Sequence, residues 1–580
     1  MKDRKTLEKL AAVAQGRLPG DTVLKNCRII DVYNQTIREG DIVFADGWIA
    51  GAGGSYEAAE VVDAGGCYAA PGFIDSHIHI ESSYLSPEEF GRLVVPCGTT
   101  TVITDPHEIV NVCGLAGLDY MMAAAEKTVL DIKFMLPSCV PATGFDHAGA
   151  VLLAEDMKDA MQRENVLGLA EFMNYPGVLQ AQPEAVDKLA MAQKAGRLID
   201  GHAPGLTGSG LDAYAAMGIA TDHECATAEE VLARVADGMY VMLRNGSACH
   251  DLPRLLPAVS AANMRRFLLC SDDLHAKTVF SKGHLNEHLR LCVQGGLTPE
   301  AAITMASLNA AECYHLYDRG ALVPGRRADV VLLEDLKEFK SRETWIAGQR
   351  VAEAGRYLPA VTRVDYASVG SSVHIDGFSA DRLKLKLKGS RVYTIDVSPG
   401  SVVTAKGQAE IQRSSDGDFI YSAEQDIVKT AVVERHHGTG NVGVGLLRGY
   451  GLKRGAIAVS IAHDSHNIIA AGASNEDMAF AVQTLAGQSG GMAAVLDGQV
   501  LAAIPLPIAG LMSDQSAEWL EQQMEIFYDK ACHVLGINPA VDAVMTLCFM
   551  SLPVIPSIKL LDTGLFDVEK FGFMDIEVEE

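Results

Sequence analysis

The sequence predicts an α/β protein: a (β/α)8 TIM-like barrel with a flanking small β-sandwich and an additional C-terminal α/β domain. Three observations carry this reading. Eight short apolar runs, each ending in polar residues, alternate with Ala/Leu/Glu-rich stretches between residues 69 and 317. Segments with β-branched residues and Gly/Asp turns flank that region at 21–68 and 318–367. From residue 368 to residue 580 strand-like and helix-like stretches mix again. At roughly 100–200 residues per domain, the chain is long enough for all three units.

Taken in order, residues 1–20 form a polar amphipathic helix with charges spread through it, so they are not a secretion signal. TVLKNCRIIDVYN and TIREGDIVFADGWIAGAG then read as strands broken by turns. The eight runs are CYAAPGFIDSHIH, TTTVITDPH, DIKFMLPS, VLGLAEF, LIDGHAP, IATDHE, MYVMLRNG and RFLLCSDD. Apolar runs separated by helices mean parallel strands buried on both faces. Eight of them in about 250 residues is the arithmetic of a closed barrel. DRGALVPGRRADVVLLED (318–335) returns to β character, so 21–68 and 318–367 are expected to build one composite domain around the barrel's ends. Beyond it, SRVYTIDVS and GAIAVSIAHD read as strands, and NEDMAFAVQTLAGQ and SAEWLEQQMEIFYDKACHVLG as helices, of a C-terminal domain over 368–580.

Composition narrows the partners. A net charge of −26 excludes a general nucleic-acid binder, which needs a basic stripe, and leaves small molecules open. The longest apolar stretch, Val500–Met512, carries two prolines and is too short for a membrane span. The 12 cysteines include no C-x-x-C pair, which argues against a disulfide framework or a cysteine zinc site and for a cytoplasmic protein.

The chemistry sits at the ends of the runs. In a barrel of this type the C-terminal strand ends converge on one mouth. The first run ends His77-Ile78-His79, and residues two apart on a strand face the same side. The fourth ends in Glu171, the fifth in His202, the sixth in His223 and the eighth in Asp272-Asp273. One histidine at a strand end is ordinary. Four histidines and two carboxylates at five of eight ends make a site for first-row divalent metal.

GFIDSHIH (72–79), LAEF (169–172), DGHAP (200–204), TDHE (221–224), LCSDD (269–273) and MASLNAAECYHLYDRGALVPGRRADVVLL (305–333) resemble the amidohydrolase superfamily. GFIDSHIHIESSYLSPEEF, CGTTTVITDPHEIVNVCG, ERHHGTGNVGVG, HDSHNIIAAG and GMAAVLDGQVLAAIPLPIAGLMS are similar, more narrowly, to the bacterial adenine deaminase family, over nearly the whole chain. The resemblance implies two divalent ions, Fe2+ or Mn2+, with Zn2+ fitting the same N/O donors. His77, His79, Glu171 and Asp272 would hold one, and Glu171, His202 and His223 the other. Glu171 stands where many relatives in the superfamily carry a carbamylated lysine. The implied partner is a purine base, the implied reaction hydrolytic deamination of adenine to hypoxanthine and ammonia, and the implied assembly a homodimer. The alternative is another amidohydrolase, acting on a cyclic amide or N-acyl compound.

Within that frame Asp272 is both ligand and proton acceptor, and Asp273 either bonds the substrate or orients a ligating histidine. Glu81, His107, Glu108, Asn111 and Glu224 are the candidate substrate contacts. DPHEIVNV (105–112) is not an H-E-x-x-H zinc helix, because Asn111 occupies the last position. The H-x-E with P-C-x-x-C of the cytidine-deaminase zinc fold is also missing. Asp146 stands where the family pattern has Glu. The clusters Glu434-Arg435-His436-His437 and His463-Asp464-Ser465-His466-Asn467 either close over the barrel mouth, form a subunit interface, or remain solvated loops.

Overall fold

A computed structural model describes residues 2–247 and 249–578. The eight apolar runs form the eight barrel strands: β1 (Phe73–His79), β2 (Thr99–Thr104), β3 (Asp131–Leu136), β4 (Val166–Phe172), β5 (Leu198–Gly201), β6 (Thr221–Asp222), β7 (Tyr240–Arg244) and β8, which runs Phe267–Cys270 and resumes as Asp272–Asp273. The β1 to β5 ladder is parallel throughout, as is β6 to β8. The ring closes where Asp272 and Asp273 pair with Ile78 and His79. Across the opposite seam, Ala220 N–H donates to the Ile199 carbonyl at 2.9 Å. Inside, Ile74, Ile103, Met135, Ala170, Met242 and Leu268 fill the barrel, so its floor is solid and only the mouth is open to chemistry.

The first run serves two sheets. Tyr68–Pro71 pairs with Arg28 and Ile29 on one side and with Val330–Leu333 on the other, so it belongs to the flanking domain, and the barrel begins at Phe73 rather than Ala69. Gly72 makes the change of direction: a Cβ there would lie 2.2 Å from Thr100 Oγ1. The flanking strands form one hydrogen-bonded path from Arg356–Tyr357 through Tyr68–Pro71 to Trp48–Gly54. Phe44 and Trp345 lie four strands apart along it, about 19 Å in a flat sheet. Their ring centroids are 5.9 Å apart. The sheet therefore folds over on itself as a sandwich, around Leu24, Ile29, Ile42 and Leu332. The N-terminal helix is shorter than the sequence suggests, Arg4–Ala14, capped by Asp3, because Gly20 already opens the first strand.

The C-terminal domain is an eight-stranded, largely antiparallel sheet. Helix Asn475–Gly487, capped by Ser474, covers one face. The other face shares one apolar cluster with the barrel's mouth side: Ile80, Ile109 and Val110 pack into the same core as Ile461, Ile469 and Phe549. Polar pins complete the docking. His147 Nδ1 lies 2.6 Å from Asp562 Oδ2, and Asn467 Nδ2 donates to the His147 carbonyl at 2.8 Å.

Candidate active site

The strand period does what the sequence requires of it at His77 and His79. Both imidazoles leave β1 on the same side, ring centroids 4.8 Å apart, and both are buried. His79 Nε2 lies 3.2 Å from Asp272 Oδ1 and 3.4 Å from Glu171 Oε1. His77 Nε2 lies 3.8 Å from the same Asp272 oxygen, and its ring stacks on His223 at 4.2 Å. Glu171 is central. Its second oxygen is 2.6 Å from His202 Nδ1 and 3.3 Å from His223 Nε2. All six sequence-predicted ligand residues thus meet at one place. Asp272 reaches it from a left-handed backbone turn (φ 60°), which an aspartate tolerates, at the interruption of β8.

The donor set fits divalent cations. His77 Nε2 and His223 Nδ1 are buried without a hydrogen-bond partner, a cost of about 1–3 kcal/mol each for a bare polar group. Burial, with His223 and His79 alongside, holds His77 well below the usual imidazole range, so it is neutral, the form that ligates. His77, His79 and Asp272 form one group of potential ligand atoms within 4.8 Å of one another, and His77, Glu171 and His223 another.

The candidate substrate contacts divide. His107 joins the cluster itself: Nδ1 is 3.1 Å from Asp105 Oδ2 and 3.3 Å from Glu171 Oε1. Glu224 borders it, 3.5 Å from His223 Nε2, but is ion-paired with Arg244. Glu81 does not continue β1, since the chain turns at Ile80–Ser83; its Oε1 accepts from Ile109 N–H at 3.2 Å, and burial pushes its carboxyl up to about 7. Asn111 and Glu108 are both held by protein partners. Asn111 Nδ2 donates to the His107 and Cys139 carbonyls at 2.9 and 3.1 Å, bracing its own helix and the β3 loop, while its Oδ1 is buried without a partner. Glu108 is clamped by two imidazoles of the C-terminal domain, His463 Nδ1 at 2.6 Å and His466 Nε2. Burial opposes its charge, but His463 and His466 win and hold its carboxyl well below the ordinary range. Asp273 faces away from Asp272, and its Oδ1 accepts from Ser82 Oγ at 2.5 Å. Asp146 lies beside Ser465 at the domain boundary, pushed up to about 6 by burial.

Sequence reasoning missed Arg244 and Asp105. Arg244 Nη1 donates to Asp272 Oδ2 at 2.7 Å, and Nη2 to Asp251 Oδ2 at 3.0 Å. It is the polar end of the seventh run, a position the strand-end argument would have flagged. The two C-terminal clusters do close over the barrel. Besides His463 and His466, His437 Nε2 sits 2.8 Å from the Ala148 carbonyl, while Glu434 accepts from His437 and Thr439 N–H and shapes its own loop.

Behind His202 and His223 lies a fully buried ion pair. Arg234 Nε is 2.6 Å from Asp222 Oδ2, and its Nη2 donates to the Ala203 carbonyl at 2.7 Å. The pair ties together the residues next to both histidines. Arg234→Met leaves Asp222 buried and uncompensated, and is expected to cost about 3–5 kcal/mol. Calorimetry should show an unfolding midpoint lower by roughly 2–4 °C; an unchanged midpoint would contradict the assignment.

A closed β/α barrel that gathers histidines and carboxylates at its strand ends defines the amidohydrolase class, and residues 68–351 match the amidohydrolase family. This class carries a divalent-metal centre, for which the buried cluster is the candidate. Residues 401–572 match the adenine deaminase C-terminal domain. The chain is 53% identical to adenine deaminase 2 of Desulfotalea psychrophila over 99% of its own length and 100% of that protein. It is 50% identical to adenine deaminase of Ligilactobacillus salivarius over 100% of both chains, and 46% identical to that of Nitratidesulfovibrio vulgaris strain DP4 over 99% and 100%. The chain belongs to the adenine deaminase family.

Proposed function

We propose that the protein hydrolyses adenine to hypoxanthine and ammonia. The observation that carries this is the convergence of His77, His79, Glu171, His202, His223 and Asp272 on one buried point in a chain related to adenine deaminases over its full length. In this reading His77, His79, Glu171 and Asp272 would hold one divalent ion, and Glu171, His202 and His223 would hold a second. Bound there, Fe2+ or Mn2+, or Zn2+ with the same donors, supplies Lewis acidity and a water acidic enough to react near neutral pH.

The chain's own groups do the rest. Asp272 Oδ1 faces the cluster while Arg244 holds Oδ2, so Oδ1 takes the proton from the attacking water and returns it to the departing amino nitrogen. Glu81, whose carboxyl burial raises to about 7 so that a large share is protonated near neutral pH, is our donor to the ring nitrogen, and it recovers the proton released from the added hydroxyl as the carbonyl forms. One water is consumed and one ammonia released. Every cysteine is a free thiol, which suits a cytoplasmic enzyme, and among the described residues no helix is long and apolar enough to cross a membrane. We take the working form to be a homodimer.

Enzyme loaded in turn with Mn2+, Fe2+ and Zn2+ should convert adenine to equal amounts of hypoxanthine and ammonia. No product with any of the three rejects the proposal; turnover of cyclic amides or N-acyl compounds instead would replace it.

A further inference from the structure

The clamp on Glu108 joins the barrel to the C-terminal domain, and the mechanism above makes no use of it. Glu108, His463 and His466 are all buried. They have the residue types of a metal site, but the hydrogen bonding decides otherwise. Ala462 N–H donates to His466 Nδ1 at 3.2 Å, so the ring proton sits on Nε2 and points at Glu108 Oε2. An imidazole that ligates through Nε2 would carry its proton on Nδ1 instead. The group is a pair of hydrogen bonds onto one carboxylate, with His463 Nδ1 2.6 Å from Oε1.

The two histidines are themselves anchored. His463 N–H donates to the Cys548 carbonyl at 2.9 Å, and its ring stacks on Phe549 at 4.6 Å. The buried Arg435 guanidinium donates to the His466 carbonyl and, at 2.7 Å, to that of Ser372. What they hold is the first turn of the short helix His107–Cys113. Amides of a first helical turn have no partner within the helix, and Pro106 at its start has no side chain to cap them. Glu81 serves one of them, its Oε1 accepting from Ile109 N–H at 3.2 Å. Its Oε2 is buried with no partner among the described residues, and is the oxygen free to meet a ring nitrogen. His107, on the same turn, has Nδ1 3.3 Å from Glu171 Oε1. A path of contacts thus runs from the C-terminal domain through Glu108 and Ile109 to the proton donor.

We infer that His463 and His466 of the C-terminal domain are positioning residues for the deamination: by holding Glu108 they fix the first turn of that helix, and with it the place of the Glu81 carboxyl. This rests on the adenine reading above, with Glu81 as the donor. Proton delivery depends steeply on placement, since a misplacement of about 1 Å can cost about 10²-fold. The C-terminal domain then acts on the rate of the barrel's chemistry through two histidines that work by way of Glu108.

The test uses the full-length, Mn2+-loaded enzyme and adenine. His463→Ala and His466→Ala should each lower kcat at least tenfold, with KM within threefold of the parent and the same manganese content, because proton transfer to the ring is made in the transition state. His463→Asn, whose amide stands in for the Nδ1 donor, and His466→Gln, whose amide stands in for Nε2, should recover kcat to within threefold. Asp562→Asn is the control: it weakens another histidine–carboxylate pin between the domains, at His147, and should leave kcat within twofold. If the alanine variants do not fold, Glu108→Gln, which keeps the shape but accepts through one oxygen only, should show the same tenfold loss. Parental kcat in the folded alanine variants or in Glu108→Gln overturns the positioning role. So does a loss in the asparagine and glutamine variants as large as in the alanine ones, or an equal loss in Asp562→Asn, which would make it a matter of docking alone. A parent inert towards adenine with all three metals rejects the activity itself and the inference with it, a result distinct from an active parent with unaffected variants.

Discussion

Asp272→Asn is expected to lose at least ~10³-fold in kcat for adenine while keeping its fold, because an amide retains the shape and the Arg244 contact but takes no proton. The geometry gives the substitution its sharpness. Arg244 donates to Oδ2 and His79 Nε2 lies 3.2 Å from Oδ1; burial opposes the charge, but Arg244, His79 and His223 outweigh it and hold the carboxyl well below its usual range, so it is ionised near neutral pH. Circular dichroism and metal content separate the two roles of the residue. Full metal with no turnover isolates proton transfer, whereas lost metal shows that ligation dominates. Near-parental turnover would remove Asp272 from the reaction.

Glu171→Gln should be as damaging by a different route. The two oxygens of Glu171 face different histidines of the strand-end cluster, Oε1 towards His79 and His107 and Oε2 towards His202 and His223. Burial opposes its charge, yet His202 and His223 hold its carboxyl well below the ordinary range. Glutamine removes the charge and turns an N–H2 group on one of the two sets of imidazoles. We expect bound metal to fall below one equivalent per chain and adenine turnover below about 0.1% of the parent, the scale of losing a metal's Lewis acidity. Elemental analysis after dialysis reads it out. Two retained equivalents with parental turnover would deny Glu171 its bridging place.

Much of this was legible in the chain. The eight apolar runs map onto the eight strands, and the polar ends of five of them supply all six converging histidines and carboxylates. Asn111 and Glu108 show where that reading stops. Both follow β2, both are polar near the mouth, and nothing local distinguishes a brace under a helix from a residue clamped by histidines more than 350 positions away. Arg244 ends the seventh run in the same way, but a guanidinium is no metal ligand, and only its contact with Asp272 Oδ2 sets it apart from a surface arginine.

The chain alone carries the barrel and the histidines and carboxylates that gather at its mouth. Strand periodicity puts His77 and His79 on one side, and closure of parallel strands brings their C-terminal ends to one mouth whatever the loops do. Only the tertiary structure decided what stands opposite that mouth. The pairings of Glu108 with His463 and His466, and of His147 with Asp562, arise where two separately patterned domains dock. Docking of that kind is set by shape and by buried charge pairs across long sequence separations, and neither leaves a period in the chain.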